Sequence, residues 1–302
     1  MENNVSQIMN FLRAQKAVEV FPDGETTSYE MEKLGLTDYV RWAYERYILT
    51  LTMLSMAAEG IPKPRILELG ALPYLCTGLV LRIHPNAQLF LGGAPSNNPI
   101  CTQGRVVITN PFLESRTYDL PLTLFNVEKD EFPYPDSTFD VVLCSEILEH
   151  LTYSPSHMLY EINRVLKSGE ELILTTPNVC SLGKILQLLR YRNVYSPLSK
   201  HSIYGRHNRE YTPDEVAQLL DDSNFRVVQR LFRNPSIGRN AYSKGLIGLL
   251  KYYTAESLYT LTHLRFFNTR GDFILCRAQK IGPPKYAEPT FLYGEASDTR
   301  HN

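Results

Sequence analysis

The sequence predicts an α/β fold in which a mostly parallel sheet carries helices on both faces. Short apolar runs typical of buried strands recur from residue 65 onwards, and amphipathic runs at helical spacing lie between them. Turns that contain glycine and proline separate the two kinds of run. Strands that alternate with helices form parallel sheets, because each helix returns the chain to the edge where the next strand starts.

The first 62 residues are predicted to form a helical extension in front of this sheet. Apolar residues recur at helical spacing over residues 5–18 and again over residues 39–58. We therefore place the α/β domain at residues 63–281, and we expect residues 282–302 to form a loose tail.

Seven strands and four helices are predicted within the domain, together with a late helical insertion. The predicted strands are residues 65–69, 87–91, 120–125, 139–144, 171–175, 225–231 and 272–278. The predicted helices are residues 75–83, 156–166, 182–190 and 212–220, and the insertion covers residues 243–263.

Composition is that of an ordinary soluble protein, with 43% apolar and 21% charged residues. A net charge of −1 produces no global field that would attract nucleic acid or an anionic membrane, so only local patches remain for such partners. The five scattered cysteines indicate reduced thiols. The chain starts without a secretory signal pattern, and Lys251, Glu256 and His263 interrupt the insertion, so we expect a cytoplasmic protein without a transmembrane segment.

Side chains with useful chemistry follow the first, third and fourth predicted strands. In open α/β sheets, ligands bind outside the carboxyl ends of the strands near the point where the strand order reverses. The fingerprints GxGxxG and GxxxxGK[ST] are absent, which argues against NAD or ATP as the ligand. The residues are Glu68 and Gly70 after the first strand, Asn126 and Glu128 after the third, and Ser145, Glu146, Glu149 and His150 after the fourth.

This ordered set, read from Glu68 to Asn178, resembles the class I S-adenosylmethionine-dependent methyltransferase domain, in particular a bacterial branch linked with glycan and small-molecule modification. The resemblance implies a Rossmann-like sheet with a final antiparallel strand, S-adenosylmethionine as donor and S-adenosylhomocysteine as product. It also implies that the segments 179–211 and 235–268 cover the substrate. The cofactor-binding residues that it implies are Glu68, Gly70, Ala71, Pro73, Asn126, Val127, Glu128 and Ser145.

Two departures from the family pattern concern the donor. Leu72 and Tyr74 stand where many relatives have further glycines, so the first loop must be stiffer here, and Pro73 restricts its backbone. Gly92 and Gly93 stand where many relatives have an acid that binds the ribose hydroxyls. Ribose recognition is therefore unassigned.

A metal site is an open alternative at the end of the fourth strand. On a helical turn, Glu146, Glu149 and His150 would share one face. The set resembles the metal-binding element of the small-RNA 3′-end 2′-O-methyltransferases, in which His207 would supply the fourth ligand. Such a set suits transition metals such as Mn²⁺ or Zn²⁺ better than Mg²⁺. In the other interpretation, Glu149 and His150 open and cap a helix, as in metal-free relatives, and His207 contacts the sheet.

The function predicted from the sequence is methyl transfer to a hydroxyl of a small-molecule or glycan-linked acceptor, without nucleic acid as a partner. Glu146, His150 and His207 are the candidate catalytic bases. Two alternatives are a metal-dependent RNA 2′-O-methyltransferase and a non-catalytic protein of the same fold that binds a ligand or a partner enzyme. The late insertion would provide a core helix or a homodimer contact.

Overall fold

The computed structural model describes residues 2–94, 102–200, 205–233 and 269–293. Its strands are β1 (Lys16–Val20), β2 (Thr26–Tyr29), β3 (Arg65–Leu69), β4 (Gln88–Gly93), β5 (Thr102–Thr109), β6 (Thr117–Leu124), β7 (Phe139–Ser145), β8 (Leu166–Pro177), β9 (Phe225–Arg233) and β10 (Phe273–Lys280). Its helices are α1 (Glu2–Arg13), α2 (Thr37–Ala57), α3 (Leu75–Ile83), α4 (Ser156–Val165), α5 (Leu182–Leu188), α6 (Pro213–Asp222) and α7 (Thr290–Tyr293).

The ten strands form one sheet in the order β2-β1-β5-β6-β4-β3-β7-β8-β10-β9. The block β6-β4-β3-β7-β8 is parallel, and β10 runs antiparallel to both of its neighbours. The predicted α/β fold, mostly parallel with a final antiparallel strand, is confirmed. The first strand of the parallel block, β3, lies at its centre between β4 and β7, so the strand order reverses there. Open α/β sheets bind their ligands at such a point, outside the carboxyl ends of the strands.

Helices cover both faces of the sheet, as predicted. Successive residues of β3 point to opposite sides, and Ile66 and Leu67 enter two different core clusters. Residues of α1, α2 and α3 fill the first cluster, and residues of α4 and α6 fill the second. Both clusters are fully buried, so helices on each side hold the carboxyl ends of β3 and β7 in place.

The N-terminal extension is not all-helical, and this part of the prediction is wrong. The helix predicted over residues 5–18 ends at Arg13, and β1 follows it. Strands β2, β1 and β5 form an antiparallel ribbon that continues the sheet beyond β6. Burial alternates along β1, as in a strand with one face in the core. The hydrogen bonds that stabilise β1 come from β5, which is distant in the sequence, so the local spacing of apolar residues could not indicate them.

The predictions for the tail and for the late insertion have different outcomes. The tail is not loose up to residue 293, because Ser156 Oγ donates to Ala287 O at 2.5 Å, Asn224 Nδ2 donates to Pro283 O at 2.8 Å, and Phe291 packs on the second cluster. The predicted insertion at residues 243–263 lies outside the described residues. Among the helices that the structure describes, none is both long and apolar enough to cross a membrane.

Candidate active site

The loop between β3 and α3 requires a glycine at position 70. Gly70 has φ +64°, and its N–H donates to Gly92 O at 2.8 Å. A Cβ at this position would lie 2.9 Å from the side chain of Ile147, which follows β7. The loops after β3 and β7 therefore approach each other closely, with only a hydrogen atom of Gly70 between them.

Glu68 is a buried acid at the end of β3. Its side chain is nearly inaccessible to solvent, and among the described residues its Oε2 has no hydrogen-bond partner. Burial raises the pKa of Glu68 to about 8, because the ionised carboxylate is poorly solvated there. Glu68 is therefore a neutral acid at pH 7, and an approaching cation would favour its ionisation.

The N-terminal ribbon holds the rest of this loop. Tyr74, at φ +68°, is buried, and its hydroxyl donates to Glu19, which also accepts from Tyr29 Oη at 3.0 Å. Gln15 Nε2 donates to Tyr74 O at 2.7 Å. These contacts explain how Tyr74 replaces a glycine, since its ring fills the space between the loop and β1. Ala71 is buried in the same loop and Pro73 is half-buried.

Polar groups of the loop after β6 form hydrogen bonds within the loop and with the residues that follow His150. Asn126 Oδ1 accepts from Glu128 N at 2.9 Å, and Asn126 N donates to Asp130 Oδ2 at 2.7 Å. The buried carboxylate of Glu128 accepts the N–H groups of Thr152 and Tyr153, the latter at 2.7 Å. Val127 packs on the second core cluster. Cofactor binding by Asn126, Val127 and Glu128 stays a prediction.

Glu146 does not share a helical face with Glu149 and His150, so that prediction is wrong. A turn of 3-10 helix covers only Leu148–His150, and Glu146 has φ +56°, outside any helix. Glu146 N donates to Thr175 O at 2.9 Å, and its Oε1 accepts from Thr175 Oγ1 at 2.8 Å. The Glu146 side chain therefore bonds to β8, and its charge still acts on the neighbouring Glu149. Ser145 is half-buried at the end of β7.

Arg46 of α2 is a site residue that the sequence prediction missed. Its Nη1 lies 3.5 Å from Glu146 Oε1, and its Nη2 donates to Tyr39 Oη at 2.8 Å. The guanidinium also lies 5.0 Å from the ring centroid of Tyr47 and 5.2 Å from that of Phe273. The sequence did contain a signal for this residue, because Arg46 lies on the face of α2 that is buried. A buried charge needs a partner of opposite charge.

Glu149 is fully buried behind the 3-10 turn. Its Oε2 accepts from Thr176 Oγ1 at 3.0 Å, whereas Oε1 has no hydrogen-bond partner among the described residues. Burial, reinforced by the neighbouring charge of Glu146, raises the pKa of Glu149 well above its ordinary value. One oxygen of Glu149 is therefore available toward the site.

Two histidines face this oxygen. The rings of His150 and His207 meet edge to face, with 5.1 Å between their centroids. His150 Nδ1 donates to Arg206 O at 2.9 Å, and His207 Nδ1 donates to Glu210 Oε1 at 2.8 Å, so each ring keeps Nε2 for other contacts. Burial, together with the charges of His150 and Lys184, lowers the pKa of His207 to about 4, and its ring is neutral at pH 7.

The structure therefore brings together three of the four predicted metal ligands. Glu149, His150 and His207 each offer one ligand atom, and these atoms all lie within 4.8 Å of one another. Glu146 pairs with Arg46 and Thr175 instead. Lys184 contacts Glu210 from the other side and so helps to hold the carboxylate that orients His207.

Comparison with known proteins identifies the type of domain. Residues 95–230 match a family model described as "Methyltransferase domain". The matched segment covers less than half of the chain. This match agrees with the predicted resemblance to class I S-adenosylmethionine-dependent methyltransferases.

Two curated relatives match part of this chain. A Mycobacterium tuberculosis protein named "Probable S-adenosylmethionine-dependent methyltransferase" is 32% identical over 109 residues, 35% of each chain. A similarly named Mycolicibacterium smegmatis protein is 30% identical over 101 residues, 33% of this chain and 34% of that protein. The chain thus spans about a third of the length of the curated relatives that it matches.

Among solved structures, a SAM-dependent methyltransferase from Archaeoglobus fulgidus aligns over 80% of this chain and 94% of its own chain. The TM-score is 0.47 and the sequence identity is 16%.

Replacing Gly70 with alanine should destabilise the protein more than replacing Gly60. Both residues have positive φ, but a Cβ at Gly60 would meet nothing within 4 Å, whereas a Cβ at Gly70 would meet Ile147. Gly60→Ala should cost about 1 kcal/mol of unfolding free energy from the backbone alone, and Gly70→Ala should cost clearly more. Urea unfolding measures both, and equal losses would show that the close approach to Ile147 does not exist.

Replacing Arg46 with methionine should leave Glu146 without its counter-charge. Breaking a buried ion pair by removing one partner costs about 3–5 kcal/mol, and Glu146→Gln in the same chain should recover part of this loss. Arg41→Met is the matched control, because Arg41 lies on the same helix, is exposed and sits 3.9 Å from Asp38. We expect a loss of less than about 1 kcal/mol for the control. If urea unfolding gives Arg46→Met the same small loss, the ion pair contributes nothing.

Proposed function

We propose that this protein transfers the methyl group of S-adenosylmethionine to an acceptor, with the donor bound at the end of β3. The observation that carries the proposal is Glu68, a neutral buried acid with an unpartnered oxygen, next to Gly70 in a methyltransferase domain. The donor has a cationic amino group, which the Glu68 carboxylate would stabilise directly or through a water molecule. Gly70 would allow the methionine part of the donor to approach the backbone.

The chemical demand on the protein is mainly one of positioning. The sulfonium is already an activated methyl donor, so the site has to align nucleophile, methyl carbon and sulfur and to exclude water. Such alignment can lower a barrier by about 7–11 kcal/mol. The close packing of Gly70 against Ile147 and the burial of Glu68 and Glu149 make the carboxyl edge of β3 and β7 a site with little water.

The acceptor that we propose is a hydroxyl of a small molecule or of a glycan-linked metabolite. A hydroxyl must lose its proton as it is methylated, and the developing oxonium is so acidic that a neutral imidazole is a sufficient base. His207 is such a base, because Glu210 holds its Nδ1–H and leaves Nε2 without a proton. His150 Nε2 is the second candidate, and Glu146, paired with Arg46, is the third.

Binding of S-adenosylhomocysteine should release a proton from Glu68. At pH 7 the carboxyl is neutral, and the amino group of the ligand would drive its ionisation. Calorimetric titration in two buffers of different ionisation enthalpy measures this release, which should disappear above pH 8, where Glu68 is already ionised. Glu68→Gln should bind about tenfold more weakly, a loss of about 1.4 kcal/mol, without the release. The exposed Glu59→Gln is the control.

Three results separate the possibilities. Unchanged proton release in Glu68→Gln would remove Glu68 from the donor site. Undetectable binding to the wild-type protein would favour the non-catalytic alternative. Stability provides an independent check, because a raised folded-state pKa makes the protein less stable as pH rises from about 4.5 to about 8. Glu68→Gln should therefore gain about 3 kcal/mol at pH 7, and this gain should shrink as the pH falls toward 4.5.

A second candidate function is metal-assisted methylation of a hydroxyl such as the ribose 2′-hydroxyl of RNA. The observation that favours it is the convergence of Glu149, His150 and His207. Each histidine donates its Nδ1–H to an oxygen, as metal-ligating histidines commonly do, and Glu149 keeps one oxygen unpartnered. A bound divalent metal would lower the pKa of the acceptor hydroxyl and hold it near the methyl group.

Titration with Co²⁺, followed by visible absorption, tests this second candidate. If the site binds metal, the absorption bands should appear with the wild-type protein and should be lost in Glu149→Gln and His207→Gln. Glu146→Gln should keep them, because Glu146 lies outside the group. His84→Gln, on the distant α3 side, is the matched control, since His84 contacts Ser55. Absence of the bands at millimolar Co²⁺ would leave the metal-free mechanism.

A further inference from the structure

Helix α5 and the chain that follows it expose an unusual number of large apolar side chains. None of the residues of α5 is buried. Exposed fractions reach 56% at Leu188, 72% at Leu189, 102% at Tyr191, 84% at Tyr195 and 77% at Leu198. Single exposed apolar residues are common, but a consecutive set of this kind marks a binding surface. We call residues 182–200 the α5 surface.

The α5 surface is also positively charged. Residues 182–200 contain four lysines and arginines and no aspartate or glutamate, although the whole chain has a net charge of −1. Arg190, Arg192 and Lys200 are exposed between the exposed leucines and tyrosines. Basic and apolar side chains therefore share one continuous stretch, and a partner must offer negative charge and an apolar phase together.

An anionic lipid surface meets both requirements. Leucines on such a surface enter the acyl boundary, tyrosines lie at the headgroups, and each lysine or arginine gains about 1 kcal/mol near anionic lipids. Single-stranded RNA would use the tyrosines and arginines but would leave Leu188, Leu189 and Leu198 without partners, because bases stack on aromatic rings. A symmetric second copy would place these like charges opposite one another.

We propose that the α5 surface binds the protein peripherally to membranes that contain anionic lipids. The surface lies beside the candidate active site, because Lys184 of α5 contacts Glu210, which accepts the Nδ1–H of His207. Binding would therefore bring the His207 side of the site close to the lipid headgroups. The consequence that the methyl acceptor is presented at a membrane rests on the proposed function, whereas the binding itself does not.

Vesicle flotation of the full-length protein tests the proposal, with phosphatidylcholine vesicles prepared with and without phosphatidylglycerol. The wild-type protein should float with the anionic vesicles and should be released by salt. The double variant Leu188→Asp with Leu189→Asp, and the double variant Arg190→Gln with Arg192→Gln, should each weaken binding by about tenfold or more. Phe112→Asp and Lys63→Gln are the matched controls, since both positions are exposed far from α5 in sequence.

Several outcomes would overturn the proposal. No flotation of the wild-type protein, or an equal loss in the controls, would show that the α5 surface does not bind lipid. Binding of a single-stranded RNA oligonucleotide that depends on Arg190 and Arg192 but not on the leucines would assign the surface to RNA. A lipid-free dimer that the leucine variant abolishes would assign it to self-association. Titration of each variant with S-adenosylhomocysteine without vesicles reports the donor site separately, so the two proposals can fail independently.

Discussion

The burial of acidic side chains at the carboxyl ends of β3 and β7 is the constraint on which the rest of the site depends. A carboxylate without water is unstable, so each acid must remain protonated, find a counter-charge or await a cationic ligand. Burial raises the pKa of Glu68 and of Glu149, which favours the protonated form of each. Glu146 has a counter-charge, the guanidinium of Arg46. A cationic ligand that binds at this edge could therefore stabilise the ionised form of a buried carboxyl group.

The N-terminal residues complete this edge. Arg46 reaches Glu146 from α2, and the β1-β2 ribbon holds Tyr74 through Glu19. Without these two contacts, the loop after β3 would have a large unsupported side chain, and Glu146 would face Glu149 without a counter-charge. The N-terminal extension thus contacts two residues of the candidate site, Tyr74 and Glu146. Its boundary at residue 62 stays a prediction.

The site also has two sides of different character. The side near β3 offers a neutral acid and closely approaching backbone, which suit a cationic nucleoside donor. The side near the 3-10 turn offers imidazole nitrogens beside a buried carboxyl, which suit proton removal or metal binding. The basic and apolar α5 surface begins next to this second side, through the contact between Lys184 and Glu210. The donor would therefore bind on the β3 side, and the acceptor would approach from the side of the 3-10 turn and the α5 surface.

Local pattern in the sequence determined the parallel strands, the helices between them and the residues that follow β3, β6 and β7, since side-chain periodicity and turn residues act over a few positions. The helix at residues 75–83 matches α3 from end to end. Tertiary structure alone decided the ribbon of β1, β2 and β5, the left-handed backbone of Glu146 and the pairing of Arg46. Each of these depends on contacts between residues distant along the chain, and their free energy outweighs the local preference that the sequence displays.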